Sequence, residues 1–561
     1  MKTTFNYDHY YTYDEMTDYL NQLAITYPKL MNLSSICETE EKKQVWVVEI
    51  TNLATGDFNS KPAYYVDGNH HAGEVTGSMA AMHLIDYLLT NFGKIEDVTT
   101  LLNQFTIYVI PKISPDGSDV YLTSAHKLRS VNRPYPHEAL EDGLHPSDLD
   151  GDGVIRMMRH QTPYGAWKVS NEDSRVMVKR QPDELVGTFY NIYPEGEIVN
   201  YDGVHIKLAP DKWGLDFNRN YPFGWFCEAR QPGSGKYPLS NPENKAVADF
   251  IIHHPNIGSA STLHTSGGMI IYPPGVHPEK EGHPFDMMLY KTIGKMGTQE
   301  TGYPCYNIFD AFLTDTVNYS SGAFDDWCYF TQGIPTYTIE LWDMKKQAGI
   351  PHVWPRVDQK EDEVALDEYL KQLAWIDENI EAGFKPWTVV THPQLGEVEV
   401  GGWDFKFTMQ NCPPKFLQTE IENNTRFMLR HVATLPQLSI DSVKVEAVTE
   451  DIYQVEAIVS NKGYLPTYIC EQAKTIKVMQ PIKISCEGAA AYLSSEAVQE
   501  IPYLEGFSGI KTTYGYDGIQ TQNHSPLSQK VTWLVKATSK TDLTIKVSHV
   551  KAGMCETKIY V

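Results

Sequence analysis

Short apolar runs alternate with segments of helical periodicity along the first two-thirds of this chain, and this alternation limits the folds open to it. Helical spacing of apolar residues marks EVTGSMAAMHLIDYLLTNF (74–92), which ends before Gly93, and a second helix is predicted at NKAVADFIIHH (244–254). The strand-like runs are VWVVEI (45–50), PAYYVDG (62–68), FTIYVIPKI (105–113), SASTLH (259–264) and IPTYTIELW (334–342). Strands separated by helices predict an α/β fold, with a mixed central sheet and helices on both faces.

The chain has 561 residues, more than one hydrophobic core usually supports. We expect a first domain over residues 1–385, with a long polar insertion at about 135–210. A connecting hairpin and helix segment is predicted over 386–438. An all-β sandwich is predicted over 439–561, because six short alternating runs follow there: DSVKVEAVTE, IYQVEAIVSN, KTIKVM, QKVTWLVKAT, TDLTIKVSH and TKIYV.

Charge and composition exclude several classes of partner. The 47 basic residues are outnumbered by 71 acidic ones, a net charge of −24, which disfavours nucleic acids and anionic membranes. No apolar run is long enough for a membrane span. The N-terminus lacks the apolar core of a signal peptide, so the protein is expected to be cytoplasmic, or secreted with its signal removed. Compartment and oligomeric state stay open.

Two histidines and two glutamates carry the strongest chemical signal. His71 and Glu74 are three residues apart in a turn after a strand, and His264 ends another strand. Alone, this spacing is as typical of a polar turn as of a metal site with three protein ligands and one open position. Glu340 lies inside an apolar strand, where a carboxylate is costly unless it has a partner or a function.

The ordered motifs HAGE, PDG, DFNRNY, STLHTSGG, NYSSGAFDDW and YTIELWD resemble the zinc carboxypeptidases of the carboxypeptidase A type, peptidase family M14. The resemblance covers about residues 5–385. It implies a zinc ion held by His71, Glu74 and His264, matching the known ligand formula of carboxypeptidase A. It also implies that Glu340 is the general base of a zinc-dependent metallocarboxypeptidase, which hydrolyses C-terminal residues from peptides by zinc-activated water.

The same resemblance assigns the substrate-binding residues. Asn218, Arg219 and Tyr319 match the residues that hold the free C-terminal carboxylate of the peptide, and an Arg fork suits a carboxylate. For the arginine that stabilises the oxyanion, both Arg133 and Arg129 are candidates.

Arg133 is favoured because NRP resembles the second arginine of the family motif. Asp325 falls at the position of the side-chain pocket residue, where an acid favours basic C-terminal residues in some members. This segment is one residue shorter than in the digestive enzymes, so the preference is left open.

The long insertion carries HPSDLDGDGVIRMMR, which the digestive enzymes lack. Asp148, Asp150 and Asp152, followed by Gly153, match the first half of an EF-hand-like calcium loop, but its twelfth position is Arg159 instead of Glu. Calcium binding and a solvated acidic turn are both open interpretations.

Two other functions remain as alternatives. One is a peptidase of the same family that trims cell-wall stem peptides (muropeptides). The other is an inactive peptide-binding scaffold, which is disfavoured because all three ligand positions and Glu340 are present.

Overall fold

A computed structural model describes residues 4–313, 315, 317, 319–351, 362–514, 520–523, 526–538 and 541–561. Its α-helices are α1 (Tyr13–Thr26), α2 (Val75–Asn91), α3 (Glu96–Gln104), α4 (Pro115–Thr123), α5 (Pro242–His253), α6 (Pro284–Thr301), α7 (Phe324–Trp327), α8 (Met344–Gln347), α9 (Asp362–Asn379), α10 (Pro414–Val432) and α11 (Glu471–Thr475). Within the described ranges, none of these helices is both long and apolar enough to cross a bilayer.

The strands that the structure describes lie in two regions, within residues 31–341 and from residue 384 to residue 560. From the first region come β1 (Met31–Glu38), β2 (Gln44–Ile50), β3 (Ala63–Gly68), β4 (Thr106–Ile110), β5 (Gly143–Pro146), β6 (Met157–Gln161), β7 (Trp167–Val169), β8 (Met177–Lys179), β9 (Tyr190–Pro194), β10 (Gly196–Val199), β11 (Ile257–Thr265), β12 (Met269–Tyr272), β13 (Cys305–Asn307) and β14 (Thr336–Leu341). From the rest come β15 (Phe384–His392), β16 (Gly396–Trp403), β17 (Leu438–Ala447), β18 (Ile452–Asn461), β19 (Ile482–Glu487), β20 (Ala491–Tyr492), β21 (Val498–Ile501), β22 (Lys511–Tyr514), β23 (Gln520–Asn523), β24 (Ser528–Lys536), β25 (Asp542–His549) and β26 (Gly553–Tyr560).

The predicted mixed sheet is confirmed. It has eight strands in the order β1-β2-β4-β3-β11-β14-β12-β13, and its centre, β4-β3-β11-β14, is parallel. The register pairs Leu263 of β11 with Gly68 of β3, and His264 of β11 with Glu340 of β14. Carboxyl ends of parallel strands meet at one edge of a sheet, which is where ligands bind in such folds.

Helix α2 lies close against this sheet because a glycine faces it. A Cβ atom added to Gly77 would lie 2.6 Å from the carbonyl oxygen of Leu263, so only a glycine allows α2 and β11 to approach this far. The first turn of α2 is thereby held beside the carboxyl end of β11.

The insertion folds together with a segment almost 200 residues away. Strands β6, β7, β8 and β9 form a six-stranded sheet with β15 and β16, in the order β15-β16-β6-β9-β7-β8. The guanidinium of Arg159 donates to both carboxylate oxygens of Glu399 at 2.8 and 3.0 Å across the β6–β16 pair. Residues 157–194 of the insertion are therefore one part of a sheet that residues 384–403 complete, while β5 and β10 pair in a separate two-stranded sheet.

Helix α10 packs as part of the α/β unit, although residues 386–438 were predicted to be a connecting segment. Its buried residues Leu417, Ile421, Phe427, Met428 and Val432 share one hydrophobic core with α2 and α6. A connector would leave such a face exposed, so the α/β unit extends past residue 385.

The C-terminal region contains two four-stranded antiparallel sheets, β17-β18-β24-β20 and β21-β19-β25-β26, packed around a common apolar core, and a separate two-stranded sheet, β22-β23. The prediction of a strand at KTIKVM (474–479) is wrong, because helix α11 ends at Thr475 and β19 begins only at Ile482. The carboxylate of Asp286 accepts hydrogen bonds from the first two amides of α11, those of Glu471 at 2.7 Å and Gln472 at 3.0 Å. This contact with α6 favours a helix over the local β propensity.

We predict that Asp286→Ala lowers the free energy of unfolding by about 2–3 kcal/mol, because it leaves one buried and one partly buried amide without their charged acceptor. Denaturant unfolding followed by tryptophan fluorescence measures this loss. The control is Asp249→Ala, which removes an exposed i,i+4 pair with Lys245 and should cost about 0.5 kcal/mol or less. Equal losses in the two variants would contradict the role of Asp286.

Candidate active site

His71, Glu74 and His264 meet at the carboxyl edge of the sheet. Glu74 Oε1 lies 2.8 Å from His71 Nδ1, Glu74 Oε2 lies 2.8 Å from His264 Nδ1, and the two Nδ1 atoms are 3.2 Å apart. One donor atom from each residue lies within 4.8 Å of the others, and all three residues are buried. The turn after β3 thus supplies two of these donors and the end of β11 supplies the third.

The outward nitrogens of the two histidines have acceptors of their own. His71 Nε2 lies 3.1 Å from Asp216 Oδ1, and His264 Nε2 lies 3.3 Å from Thr262 Oγ1, which in turn donates to Asp67 Oδ1 at 2.6 Å. A histidine that donates through Nε2 presents an unprotonated Nδ1, the form that binds a metal. The donor set therefore fits a zinc ion on chemical grounds.

Charge at the cluster follows from its contacts. Burial by itself would raise the pKa of Glu74, but without a metal ion the protonated, positively charged forms of His71 and His264 hold that pKa well below its usual range. Glu74 is therefore an anionic donor. His70, next to this set, instead has its Nε2 2.9 Å from the hydroxyl of Tyr221.

Glu340 lies on β14 directly beside His264 of β11. Its carboxyl group is nearly buried, and burial, followed by the charge of Glu74, raises the pKa of Glu340 to about 8. A glutamate that holds a proton near neutral pH has the property that proton transfer requires.

The two candidate arginines point in different directions. Arg129 lines the pocket: its Nε donates to Asp216 Oδ2 at 2.7 Å, and its Nη1 lies 3.7 Å from Glu74 Oε1. Arg133 lies outside the pocket, with Nη2 donating to Asn241 at 3.2 Å and to Glu243 at 3.3 Å. The preference for Arg133 is not supported by this placement: buried Glu243 binds Arg133 outside the pocket, and Arg129 is the candidate arginine that lines it.

Asn218 and Arg219 both line the same pocket, whose volume is about 230 Å³. Asn218 Oδ1 accepts from the backbone amide of Phe324 at 2.8 Å, and Arg219 Nη1 donates to the Asn218 carbonyl at 2.7 Å. Tyr319 packs its ring on Phe226, with 5.1 Å between centroids, and its neighbour Ser320 is the one that lines the pocket.

Two adjacent carboxyl groups, Asp325 and Asp326, lie in another wall of the pocket, and both are buried. Asp325 Oδ2 accepts from the hydroxyl of Thr338 at 2.6 Å, and Asp326 Oδ1 accepts from the amide of Gly275 at 3.0 Å. Burial, and then the charge of Asp325, raises the pKa of Asp326 well above its usual range. The pocket thus combines two arginines with an acidic pair.

The predicted calcium loop differs from the expected arrangement. Asp148 and Asp150 lie together with Glu195, within 4.8 Å, and the expected third member, Asp152, is not in this group. Lys385 Nζ lies 2.5 Å from Asp150 Oδ2 and 2.6 Å from Asp152 Oδ2. An ammonium group of the protein therefore already neutralises two of the three predicted calcium ligands.

Sequence analysis missed Asp216, which contacts both His71 and Arg129. Asp216 is the first residue of the quoted motif DFNRNY, directly after an apolar segment, and that position is the only sequence signal for it. Glu195 and Thr338 had no such signal.

The chain was compared with known families and proteins. The family model described as zinc carboxypeptidase, Peptidase_M14, matches residues 16–359, and a domain of unknown function, DUF8731, matches residues 437–560. The chain is 31% identical over 109 residues to carboxypeptidase D of Homo sapiens, an overlap of 19% of this chain and 8% of that protein. It is 22% identical over 348 residues to carboxypeptidase A1 of Mus musculus, covering 60% of this chain and 64% of that protein.

Among solved structures, carboxypeptidase A from Helicoverpa armigera aligns with a TM-score of 0.39 and 18% identity, covering 67% of this chain and 76% of that one. The chain spans less than two thirds of the length of the two curated relatives named above. The zinc carboxypeptidase model, however, matches more than half of the 561 residues. The chain therefore belongs to the zinc carboxypeptidase family, Peptidase_M14.

Proposed function

We propose that this protein is a zinc-dependent metallocarboxypeptidase that removes C-terminal residues from peptides. The observation that carries the proposal is the convergence of one donor atom each from His71, Glu74 and His264 within 4.8 Å, beside Glu340. In the proposal these three residues hold zinc. Zinc, when bound, supplies Lewis-acid polarisation of the scissile carbonyl and acidifies water.

The side chains of the pocket divide the remaining work. Glu340 takes a proton from the attacking water and passes it to the leaving amine, since it lies directly beside His264 in the strand register and a bound zinc ion would favour its carboxylate form. Arg129, whose guanidinium lies at the pocket wall, stabilises the negative charge that develops on the carbonyl oxygen.

A peptide enters with its C-terminal carboxylate towards Asn218 and Arg219, because a guanidinium and an amide suit a carboxylate. In this orientation the last peptide bond of the substrate faces the zinc site, so the residue removed is the C-terminal one. Tyr319 would join them only after it leaves its contact with Phe226.

Asp325 and Asp326 favour a cationic side chain at the substrate's last residue. A lysine or arginine side chain would pair with the buried carboxylate of Asp325, whose charge raises the pKa of the neighbouring Asp326. Calcium is not part of the proposal, because Lys385 already pairs with Asp150 and Asp152.

The purified full-length protein is predicted to contain one zinc ion per chain, and Glu340→Gln should keep that zinc. Turnover of Glu340→Gln should fall by about a hundred- to ten-thousand-fold, because the amide cannot accept the proton from water. Metal analysis and hydrolysis of blocked dipeptides measure the two properties. Wild-type protein with zinc and without turnover on any peptide would favour the inactive scaffold instead.

Arg129→Ala and Arg133→Ala form a matched pair. We predict that Arg129→Ala lowers kcat by about 10²–10³-fold, the usual cost of one oxyanion donor. Arg133→Ala should change thermal stability more than kcat, because it leaves Glu243 buried without its partner. A larger kcat loss in Arg133→Ala would reverse the assignment.

Asp325→Asn is predicted to lower kcat/KM for peptides ending in lysine or arginine by about 10–100-fold, the value of a charged hydrogen bond. Peptides ending in leucine or phenylalanine serve as the control within the same variant, and their kcat/KM should change far less. Equal losses on both sets would show that Asp325 does not select the side chain.

The substrates that the protein cleaves distinguish the proposed carboxypeptidase from the alternative, a peptidase that trims cell-wall stem peptides. Peptides of L-amino acids with free C-termini are compared with muropeptides that end in diaminopimelate or a D-amino acid. We expect cleavage of the first set, and cleavage of muropeptides alone would replace the proposed substrate class.

A further inference from the structure

Residues 404–412 lie beyond the part of the chain that the family model matches, yet they pass directly behind the turn that carries His71 and Glu74. Within this segment the side chain of Asn411 is fully buried. Its Nδ2 donates to the carbonyl oxygen of Gly73 at 2.7 Å, and its Oδ1 accepts from the backbone amide of Thr76 at 3.0 Å. Asn411 therefore holds the chain on both sides of Glu74.

The remaining contacts of Asn411 fix the orientation of its amide group. Nδ2 also faces the carbonyl oxygen of Lys406 at 3.0 Å and the hydroxyl of Tyr121 at 3.1 Å, while Oδ1 also accepts from the Thr76 hydroxyl at 3.1 Å. Carbonyl oxygens require the NH₂ group and a backbone amide requires the oxygen, so only one orientation satisfies all of these partners. The side chain is thus held in one geometry.

The N-terminus of helix α2 depends on Asn411 because the side chain of Glu74 does not cap it. Glu74 occupies the N-cap position of α2, where a side-chain oxygen would ordinarily accept from the second or third amide of the helix, but no such bond is present. The carboxylate faces His71 and His264 instead. Asn411 takes over the capping role, because Thr76 carries the second helical amide.

The wall behind the turn is closely packed. A Cβ atom added to Gly73 would lie 2.7 Å from Tyr121 Cε2 and 2.9 Å from Gln410 Nε2. Gln410 Oε1 accepts from the hydroxyl of Tyr121 at 2.9 Å. The turn therefore packs closely against a hydrogen-bonded surface.

Residues 404–412 also contact the end of the strand that carries Glu340. The indole Nε1 of Trp342, two residues after Glu340, donates to the carbonyl oxygen of Thr408 at 2.8 Å. The hydroxyl of Tyr10 donates to the carbonyl oxygen of Cys412 at 2.5 Å, which anchors the end of the segment.

We propose that Asn411 is a positioning residue for the metal site, which caps α2 in place of Glu74 and so leaves the Glu74 carboxylate free to bind the metal. The inference rests on the proposed function, in which His71, Glu74 and His264 hold zinc. Residues that orient metal ligands change metal affinity by about 10–100-fold when they are lost.

The test measures zinc binding by the full-length protein in competition with a chromophoric chelator at fixed pH. Asn411→Ala should raise the zinc dissociation constant about 10–100-fold. The control is Asn424→Ala on α10, another fully buried asparagine, whose Nδ2 donates within its own helix to the Glu420 carbonyl at 2.9 Å. The zinc dissociation constant of Asn424→Ala should stay at the wild-type value, while the melting temperature of the zinc-free variant should fall below that of the zinc-free wild-type protein.

A second variant, Asn411→Asp, keeps the acceptor for Thr76 and faces the Gly73 and Lys406 carbonyls with an oxygen in place of the amide nitrogen. It should also weaken zinc binding, so the proposal stays testable if Asn411→Ala fails to fold. Wild-type zinc affinity in either folded Asn411 variant would overturn the proposal, as would an equal loss in Asn424→Ala. Absence of zinc from the wild-type protein would instead reject the proposed function itself.

Discussion

The pocket depends on a buried carboxylate held between two histidines. Glu74 lies 2.8 Å from an Nδ1 atom of both His71 and His264, at a depth where an unpaired carboxylate would be very costly. Each histidine is fixed in turn by an acceptor on its outer side, Asp216 for His71 and Thr262 for His264. The parallel register of β3, β11 and β14 makes this possible, because it brings His264 beside Glu340 and next to the turn after β3.

Local patterns were sufficient to predict the central features of the fold. The apolar runs that became β2, β3, β4, β11 and β14 have strand composition, and the helical spacing of residues 74–92 matches α2 closely. The convergence of His71, Glu74 and His264 also followed from sequence once the motif order was recognised. These features are encoded by short segments, or by a sheet topology that places strand ends together.

Other features depend on partners far away in sequence, and no local pattern encodes them. Arg129 and Arg133 are four residues apart, and which one faces the pocket is decided by Asp216 and Glu243, about a hundred residues later. The β propensity of KTIKVM was overridden by the capping contact between Asp286 and α11. In the same way, strands β6 to β9 complete their sheet only with β15 and β16.

Asp216 and Asn411 both constrain the turn that carries His71 and Glu74. Asp216 contacts His71 through one oxygen and Arg129 through the other, so a single carboxylate orients this histidine and the arginine at the pocket wall. Asn411 bonds to the backbone on both sides of Glu74. The turn between these two residues therefore has little freedom to shift without breaking a buried hydrogen bond, whose loss costs about 1–3 kcal/mol. The segment that carries Asn411 also contacts Trp342, two residues after Glu340. A displacement of residues 406–412 would therefore shift both the turn of His71 and Glu74 and the end of the strand that carries Glu340.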